Sequence, residues 1–558
     1  MKNSVMLQSF EWYSDGDGCF YKKLTAAAPE LKRLGFDAVW LPPVYKATGT
    51  NDVGYGIYDL YDLGEFDQKG SVRTKYGTKA ELLDCIAALH EAGLFVYADV
   101  VLNHKAGADH AEVCEAIEVD PSDRDRAISD AHEIEAWTGF DFPGRAERYS
   151  AFKWHWYHFT GVDFDQRSGR TGIFKLCGEH KDWAQDVSSE NGNFDYLMFA
   201  DIDHDHPDVR DELMRWARWF VEETEVDGFR LDAIKHISAE FMQTFIQEVT
   251  ERERAKSPDF YIFGEYWMRD TAENEHYLYE TDYEIDLFDV GLHFAFFDAS
   301  KQGASYDLRR LFDESLVSQS PSMAVTFVDN HDTQPGQALT SFVEDWFKAM
   351  AYACILLRRD GYPCVFAGDF WGRDFSAEAG PHRVTIEKLL LLRKALAYGD
   401  ESVYLEDAHC IGFVRHGDEC LGARHKLVVV FSNSDRRAEA PDPEAYEETA
   451  ESAEEAHEIE IELRVNAKTP ISEFNLSEDP ELRTEPWLER GLFIRMDMGR
   501  DQAGKVYRDY FEVFKDERVV IGEDGWADFP VPVANLACFA EEGLDLSSLA
   551  TAREKLQS

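Results

Sequence analysis

Four short segments of the sequence end in polar residues able to act together. They are Asp99-Val100-Val101-Leu102-Asn103-His104, Gly228-Phe229-Arg230-Leu231-Asp232, Phe263-Gly264-Glu265-Tyr266-Trp267 and Phe327-Val328-Asp329-Asn330-His331-Asp332. A period-two alternation sends Phe229 and Leu231 to one face and Arg230 with Asp232 to the other. A guanidinium within a few ångströms keeps a carboxylate ionised, which suits Asp232 to be a nucleophile. Glu265 stands among Phe263, Tyr266 and Trp267, and an apolar wall raises a carboxyl pKa, which suits a proton donor near neutrality. Two acids whose surroundings separate their pKa values form a candidate nucleophile and acid/base pair. At a spacing of about 5–5.5 Å such a pair cleaves a glycosidic bond by double displacement, through an oxocarbenium-like transition state and with retention. A third acid, Asp332, would stabilise the developing positive charge.

Those residues must be brought to one place, and the surrounding pattern indicates how. Short apolar runs alternate with helical periodicity, the signature of a parallel sheet with crossover helices. The strand candidates are Val5–Phe10, Phe36–Leu41, Leu94–Leu102, Asp227–Asp232, Phe260–Glu265, Glu284–Val290, Ala324–Asp329 and Cys364–Ala367. Between them Leu213, Trp216, Ala217 and Phe220 recur on one helical face after Pro207, as do Phe347, Met350, Cys354 and Leu357. Eight such units predict an α/β fold, a (β/α)8 TIM barrel whose strand ends share one mouth.

From Leu102 to Pro207 the connection is far longer than a βα loop, which predicts a β-rich domain inserted after strand three. Its Trp154, Trp156, Tyr157 and Phe159 read first as core and second as sugar platforms. Beyond Tyr398 the alternating runs Leu427–Phe431, Val519–Ile521 and Phe529–Val533 predict a C-terminal antiparallel β-sandwich. The expected division is barrel 1–103, insert 104–206, barrel 207–398 and C-terminal domain 399–558. Between Glu439 and Glu462 lie 11 acidic residues and no Lys or Arg, so a solvated acidic insertion is expected near 436–490.

The 558 residues carry 57 basic and 108 acidic side chains, a formal charge of −51. That charge repels nucleic acid and anionic membranes, so neither is expected as a partner. A disordered acidic chain is excluded by 38 Phe, 24 Tyr and 13 Trp, which demand a large core. No run of 18 apolar residues occurs, and Met1–Tyr13 has no pattern of a signal peptide. The nine cysteines are scattered without a CxxC pair and read mostly as buried free thiols. A cytoplasmic monomer is therefore expected.

Taken with Val53-Gly54-Tyr55-Gly56-Ile57-Tyr58-Asp59-Leu60 and Leu197–Val209, the four polar segments resemble the α-amylase family, glycoside hydrolase family thirteen. The resemblance spans about Val5–Tyr398 and is close to the bacterial liquefying type and its intracellular relatives. It implies an endo-acting α-1,4-glucan hydrolase for starch, glycogen or maltodextrins, with Asp232 as nucleophile, Glu265 as acid/base and Asp332 as transition-state stabiliser. It further implies that Arg230, His104 and His331 grip the sugar at the cleavage point, that Tyr55 stacks on it, and that Lys235 and His236 hold the next glucose.

Asn103, Asp195, Asp201, Asp203 and Asp205 are hard oxygen donors of the kind calcium prefers. The resemblance implies one structural calcium on Asn103, Asp195, Asp201 and the His236 carbonyl. Where the liquefying enzymes place two further acids for a calcium–sodium–calcium cluster, this chain has Thr160 and Ala184. One tight calcium is expected, with Asp203 and Asp205 left without a full set of partners. Three other readings compete: a transglycosylase using the same residues, a non-catalytic glucan-binding protein, and a metal phosphoesterase built on Asp201–Asp208. Three retained carboxylates weigh against the second, and the charge of −51 weighs against the third.

Overall fold

The computed structural model describes residues 3–372, 380–420, 422–434 and 492–557. The acidic stretch near 436–490 lies outside the described residues.

Eight strands close a barrel: β1 (Met6–Gln8), β2 (Ala38–Leu41), β3 (Phe95–Val100), β4 (Gly228–Leu231), β5 (Tyr261–Gly264), β6 (Asp286–Phe288), β7 (Ala324–Phe327) and β8 (Tyr362–Phe366). Each pairs in parallel with its sequence neighbour, and β8 returns to β1 through Met6 opposite Cys364. All eight expected runs extend past the observed strands at one end or both, and two of them run into helices. Asp289 ends the sixth by accepting the Leu292 N–H at 2.9 Å, so it caps the helix that starts at Val290. Ala367 likewise opens a short helix, and β8 begins at Tyr362.

Helices α1 (Phe20–Leu34), α2 (Lys79–Glu91), α3 (Pro207–Thr224), α4 (Ala239–Arg254), α5 (Thr271–Glu280), α6 (Val290–Gln302), α7 (Asp345–Leu357) and α8 (Arg383–Leu396) occupy the crossovers. Local chemistry sets their starts. Thr78 and Glu81 form a reciprocal capping box at α2, and Pro207 fills the first turn of α3, where its missing N–H costs nothing. The faces expected from periodicity are buried: Leu213, Trp216, Ala217 and Phe220 on α3, and Phe347, Met350, Cys354 and Leu357 on α7. Rings fill the barrel beneath its mouth. Trp40 meets Phe288 at 5.5 Å and Phe263 at 6.1 Å, and Phe288 meets Phe327 at 5.4 Å.

Between β3 and β4 an antiparallel sheet runs in the order His104–Lys105, Ala200–Ile202, Phe159–Asp165, Arg170–Leu176, His110–Asp120, Asp123–Ala127, with His132–Gly139 also on His110–Asp120. Trp154 and Phe159 are core residues, whereas Tyr157 is 41% exposed. After α8 comes a six-stranded antiparallel sheet that begins Glu401–Asp407 and Cys410–Arg415, plus a two-stranded sheet of Phe493–Asp497 and Trp526–Pro530. Met496 and Phe529 of the small sheet share one buried cluster with Val414, Val428, Val430 and Phe539 of the large one, so the two sheets face each other. A final helix, Leu546–Gln557, follows. No helix among the described residues is long and apolar enough to cross a membrane.

Candidate active site

Register explains the site. Arg230 on β4 is the direct partner of Asp99 on β3 and of Phe263 on β5, so its side chain rises on the axis between two neighbouring strands. The wholly buried guanidinium gives one terminal nitrogen to Asp99 at 2.9 Å and to Asp232 at 2.5 Å, and the other to Glu265. Asp232 and Glu265 therefore sit side by side on one fork. Asp99 completes the base of the site by accepting from Trp40 Nε1 at 3.0 Å and from the Tyr55 hydroxyl at 2.9 Å.

Arg230 reaches Asp232 as expected, and the same guanidinium also holds Glu265. The rings flanking Glu265 in sequence also turn elsewhere: Tyr266 packs on Tyr277 at 4.7 Å, and Trp267 packs near Phe294 and Phe327. Burial nonetheless outweighs Arg230 and raises the Glu265 carboxyl to about 7, with Asp232 and Asp99 adding to the effect. Immediately after Asp232, Ala233 adopts φ of +50°, the left-handed strain that functional sites retain.

Asp332 follows β7 on a loop fixed by Asn330, whose side-chain oxygen accepts the Asp332 N–H at 2.9 Å. Burial, then the nearby Glu265, holds the Asp332 carboxyl well above the usual range. The loop is anchored below by Lys348, fully buried and 2.6 Å from both Asp329 and Asp369, while the Thr333 hydroxyl donates to Asp329 at 2.8 Å.

His331 pairs Nδ1 with the Gln8 amide at 3.0 Å, and burial followed by the Arg230 charge keeps the ring neutral. With Nδ1 accepting, Nε2 carries the proton. It lies 3.1 Å from Asp332 yet outside hydrogen-bond alignment, free to donate to a ligand. Tyr55 lies parallel to His331 at 5.1 Å, and Trp12 is parallel to both at 6.0 Å. His104 binds the Tyr55 carbonyl at 2.9 Å. Trp12 escaped the sequence reading, although its place just beyond the end of β1 is the signal that marked the other rim residues.

Asp232, Glu265, Asp332, Arg230, Tyr55, His104 and His331 thus form one connected cluster. Lys235 and His236 do not join it. Lys235 binds Glu190 at 2.6 Å and the Trp267 carbonyl at 3.1 Å, and His236 Nδ1 meets the Phe194 carbonyl at 2.7 Å, so both lie on the seam with the inserted segment.

Next to that seam, Asn103 donates to Asp201 at 3.3 Å, and the Thr160 hydroxyl donates to the other Asp201 oxygen. Asn103 Oδ1 and Asp195 Oδ2 are buried and have no hydrogen-bond partner. Orphaned oxygens from an amide and a carboxylate, beside a second buried carboxylate, are a donor set suited to calcium. Asp203, expected to lack a full set of partners, accepts the Asp205 N–H at 3.1 Å and has Lys181 Nζ 2.5 Å away. Among the described residues one more metal-capable group converges, His158, His206 and Asp208, with ligand atoms within 4.8 Å. Both imidazoles accept backbone N–H groups at Nδ1, from His155 at 3.0 Å and Asp208 at 3.2 Å. A neutral ring whose Nδ1 accepts keeps its proton on Nε2, and as built these contacts secure the entry to α3.

A family model described as the alpha amylase catalytic domain matches residues 21–389. The chain is 51% identical over 415 residues to an alpha-amylase of Geobacillus stearothermophilus, covering 74% of this chain and 75% of the relative. It is 50% identical over 421 residues to an alpha-amylase of Bacillus licheniformis, covering 75% and 81%. To a cytoplasmic alpha-amylase of Escherichia coli it is 42% identical over 448 residues, covering 78% and 89%. Among solved structures, an alpha-amylase from Geobacillus thermoleovorans complexed with acarbose aligns with a TM-score of 0.58 at 19% identity, covering 97% of this chain and 98% of that one.

Proposed function

Since the chain belongs to the alpha-amylase family of glycoside hydrolases, we propose that Asp232, Glu265 and Asp332 hydrolyse internal α-1,4 bonds of starch, glycogen or maltodextrins with retention. Its activity is that of an α-amylase. The observation that carries the mechanism is the shared guanidinium: Asp232 and Glu265 occupy the two ends of one Arg230 fork. Carboxylates held as neighbours belong to the close spacing of double displacement, roughly 5–5.5 Å, rather than the roughly 6.5–9.5 Å that admits a water on the far face.

In the first step a lone pair of Asp232 forms the bond to the anomeric carbon as the glycosidic bond breaks. The Glu265 proton passes to the departing sugar oxygen. In the second step Glu265 takes a proton from water, the hydroxide forms the new bond to the anomeric carbon, and the electron pair returns to Asp232. Asp332 faces the positive charge that builds on the ring, with the neutral His331 N–H beside it as a donor to sugar hydroxyls. Tyr55 and Trp12 offer parallel rings for stacking, and the family resemblance would give the adjoining glucose to Lys235 and His236, which the seam otherwise engages. A calcium held by Asn103, Asp195, Asp201 and the His236 carbonyl would supply fixed positive charge that ties the inserted sheet to the rim. All nine cysteines are free thiols, six of them buried, which supports a reducing cytoplasm as the location.

Trapping tests the assignment. The Glu265→Gln protein is treated with an α-maltosyl fluoride, whose leaving group needs no proton, and the digest is mapped by mass spectrometry. A glycosyl adduct on the peptide bearing Asp232 is expected. An adduct on another carboxylate would overturn the role given to Asp232.

A further inference from the structure

The junction between the inserted sheet and α3 gathers Asp195, Asp201, Asp203 and Asp205. Asp195 and Asp201 are the pair given above to calcium. Asp203 has other company. One of its oxygens accepts the Asp205 N–H at 3.1 Å, and the other lies 2.5 Å from Lys181 Nζ, which also donates to the Phe159 carbonyl at 2.9 Å. The Lys181 side chain is 5% exposed and that of Asp203 9%.

Carboxylate oxygen plus main-chain carbonyl oxygen is the ligand chemistry of a hard cation. Here an ammonium already fills it. The chain is shaped for this reach: the Lys181 N–H closes a turn on the Gly178 carbonyl at 3.4 Å, and the side chain folds back over Gly178. A Cβ at position 178 would lie 2.9 Å from Lys181 Cγ, so glycine there lets the stem pass inward. Two neighbouring positions offer no charge to a further metal. Thr160 spends its hydroxyl on Asp201, and the Ala184 carbonyl accepts from Asn193 at 2.8 Å. With the Lys181 ammonium in place, the donor set therefore does not fit a second bound ion.

We infer that Lys181 is a built-in cation: its ammonium takes the place of a second metal ion at Asp203, so that the junction is pinned by one calcium and one side chain. Losing the ammonium strands a buried carboxylate, which a solution cation then neutralises. This inference rests on the calcium reading only for the first ion.

Calcium stoichiometry is measured on dialysed wild type, Lys181→Met and Lys181→Arg, by calorimetric titration together with elemental analysis. Lys181→Met is expected to bind one calcium per chain more than wild type at saturation, and Lys181→Arg the same number as wild type. Equal stoichiometry in wild type and Lys181→Met would overturn the inference. Should Lys181→Met fail to fold, Asp203→Asn in the wild-type background decides. Unchanged metal content is expected there, and loss of one ion would show that Asp203 holds a metal. A wild type without calcium would contradict the site at Asn103, Asp195 and Asp201, while the difference between Lys181→Met and wild type would still report on Lys181.

Discussion

Arg230 and Asp99 are register partners on adjacent barrel strands, and their side chains meet 2.9 Å apart with no exposure to solvent. Burial raises the Asp99 carboxyl to about 7 against the pull of Arg230, so the pair is held by the fold at the expense of hydration. This pair aims the guanidinium at Asp232 and Glu265, and removing one partner leaves the other charge uncompensated.

Asp99→Asn should accordingly cost stability and activity together. The expected loss is roughly 3–5 kcal/mol, seen as a lower urea midpoint. The turnover number should fall, because the released guanidinium no longer fixes both catalytic carboxylates. An unchanged midpoint and an unchanged turnover number would show that Arg230 is held by other contacts.

Glu265 sets the alkaline limb of activity. Its carboxyl, raised to about 7, is protonated below that pH and able to donate; above it the proton is lost and the first step slows. The kcat/KM for a maltooligosaccharide should therefore decline as pH rises through about 7. With a glycosyl fluoride, which needs no acid, the decline should vanish for the glycosylation step. Identical limbs for both substrates would assign the ionisation to another group.

Lys348 lies beneath the rim and touches no substrate. It neutralises Asp329 and Asp369, and Asp329 in turn orders the Thr333–Asn330 contacts that hold Asp332. Lys348→Met should lower stability by roughly 3–5 kcal/mol. It should also reduce kcat more than it changes KM, since Asp332 acts on the transition state. A stability loss with kinetics intact would confine Lys348 to a structural role.

Calcium removal should loosen the seam at Asn103, Asp195 and Asp201. A ligand bound to the native state alone adds about 2.7 kcal/mol at a hundredfold excess over Kd. Chelation should lower the thermal midpoint, calcium should restore it, and magnesium, which demands a tighter octahedron, should not. Asp195→Ala should abolish the response. An equal response in Asp195→Ala would place the ion elsewhere.

Much of the barrel and its rim was legible because both are encoded locally. Apolar runs of strand length mark β1 to β8, and polar residues at their ends mark the mouth. What failed was long-range. Alternation shows that Arg230 faces the axis, but not that its second nitrogen reaches Glu265, 35 residues on. Apolar neighbours in sequence suggest a wall around Glu265, yet Tyr266 packs on Tyr277 of α5 and Trp267 lies between Phe294 of α6 and Phe327 of β7, partners that only the fold brings near. The partner of Asp203 is a lysine 22 residues earlier, and no pattern in the chain links the two. Asp289 shows the opposite case: it lies at the end of an apolar run of strand length, yet it caps the helix that follows.

The anomeric configuration of the first product decides the central claim. Proton NMR during early hydrolysis of a maltooligosaccharide should show the α-anomer appearing first and mutarotating afterwards, as two successive displacements at one carbon require. Initial release of the β-anomer would contradict the attack by Asp232 beside Glu265.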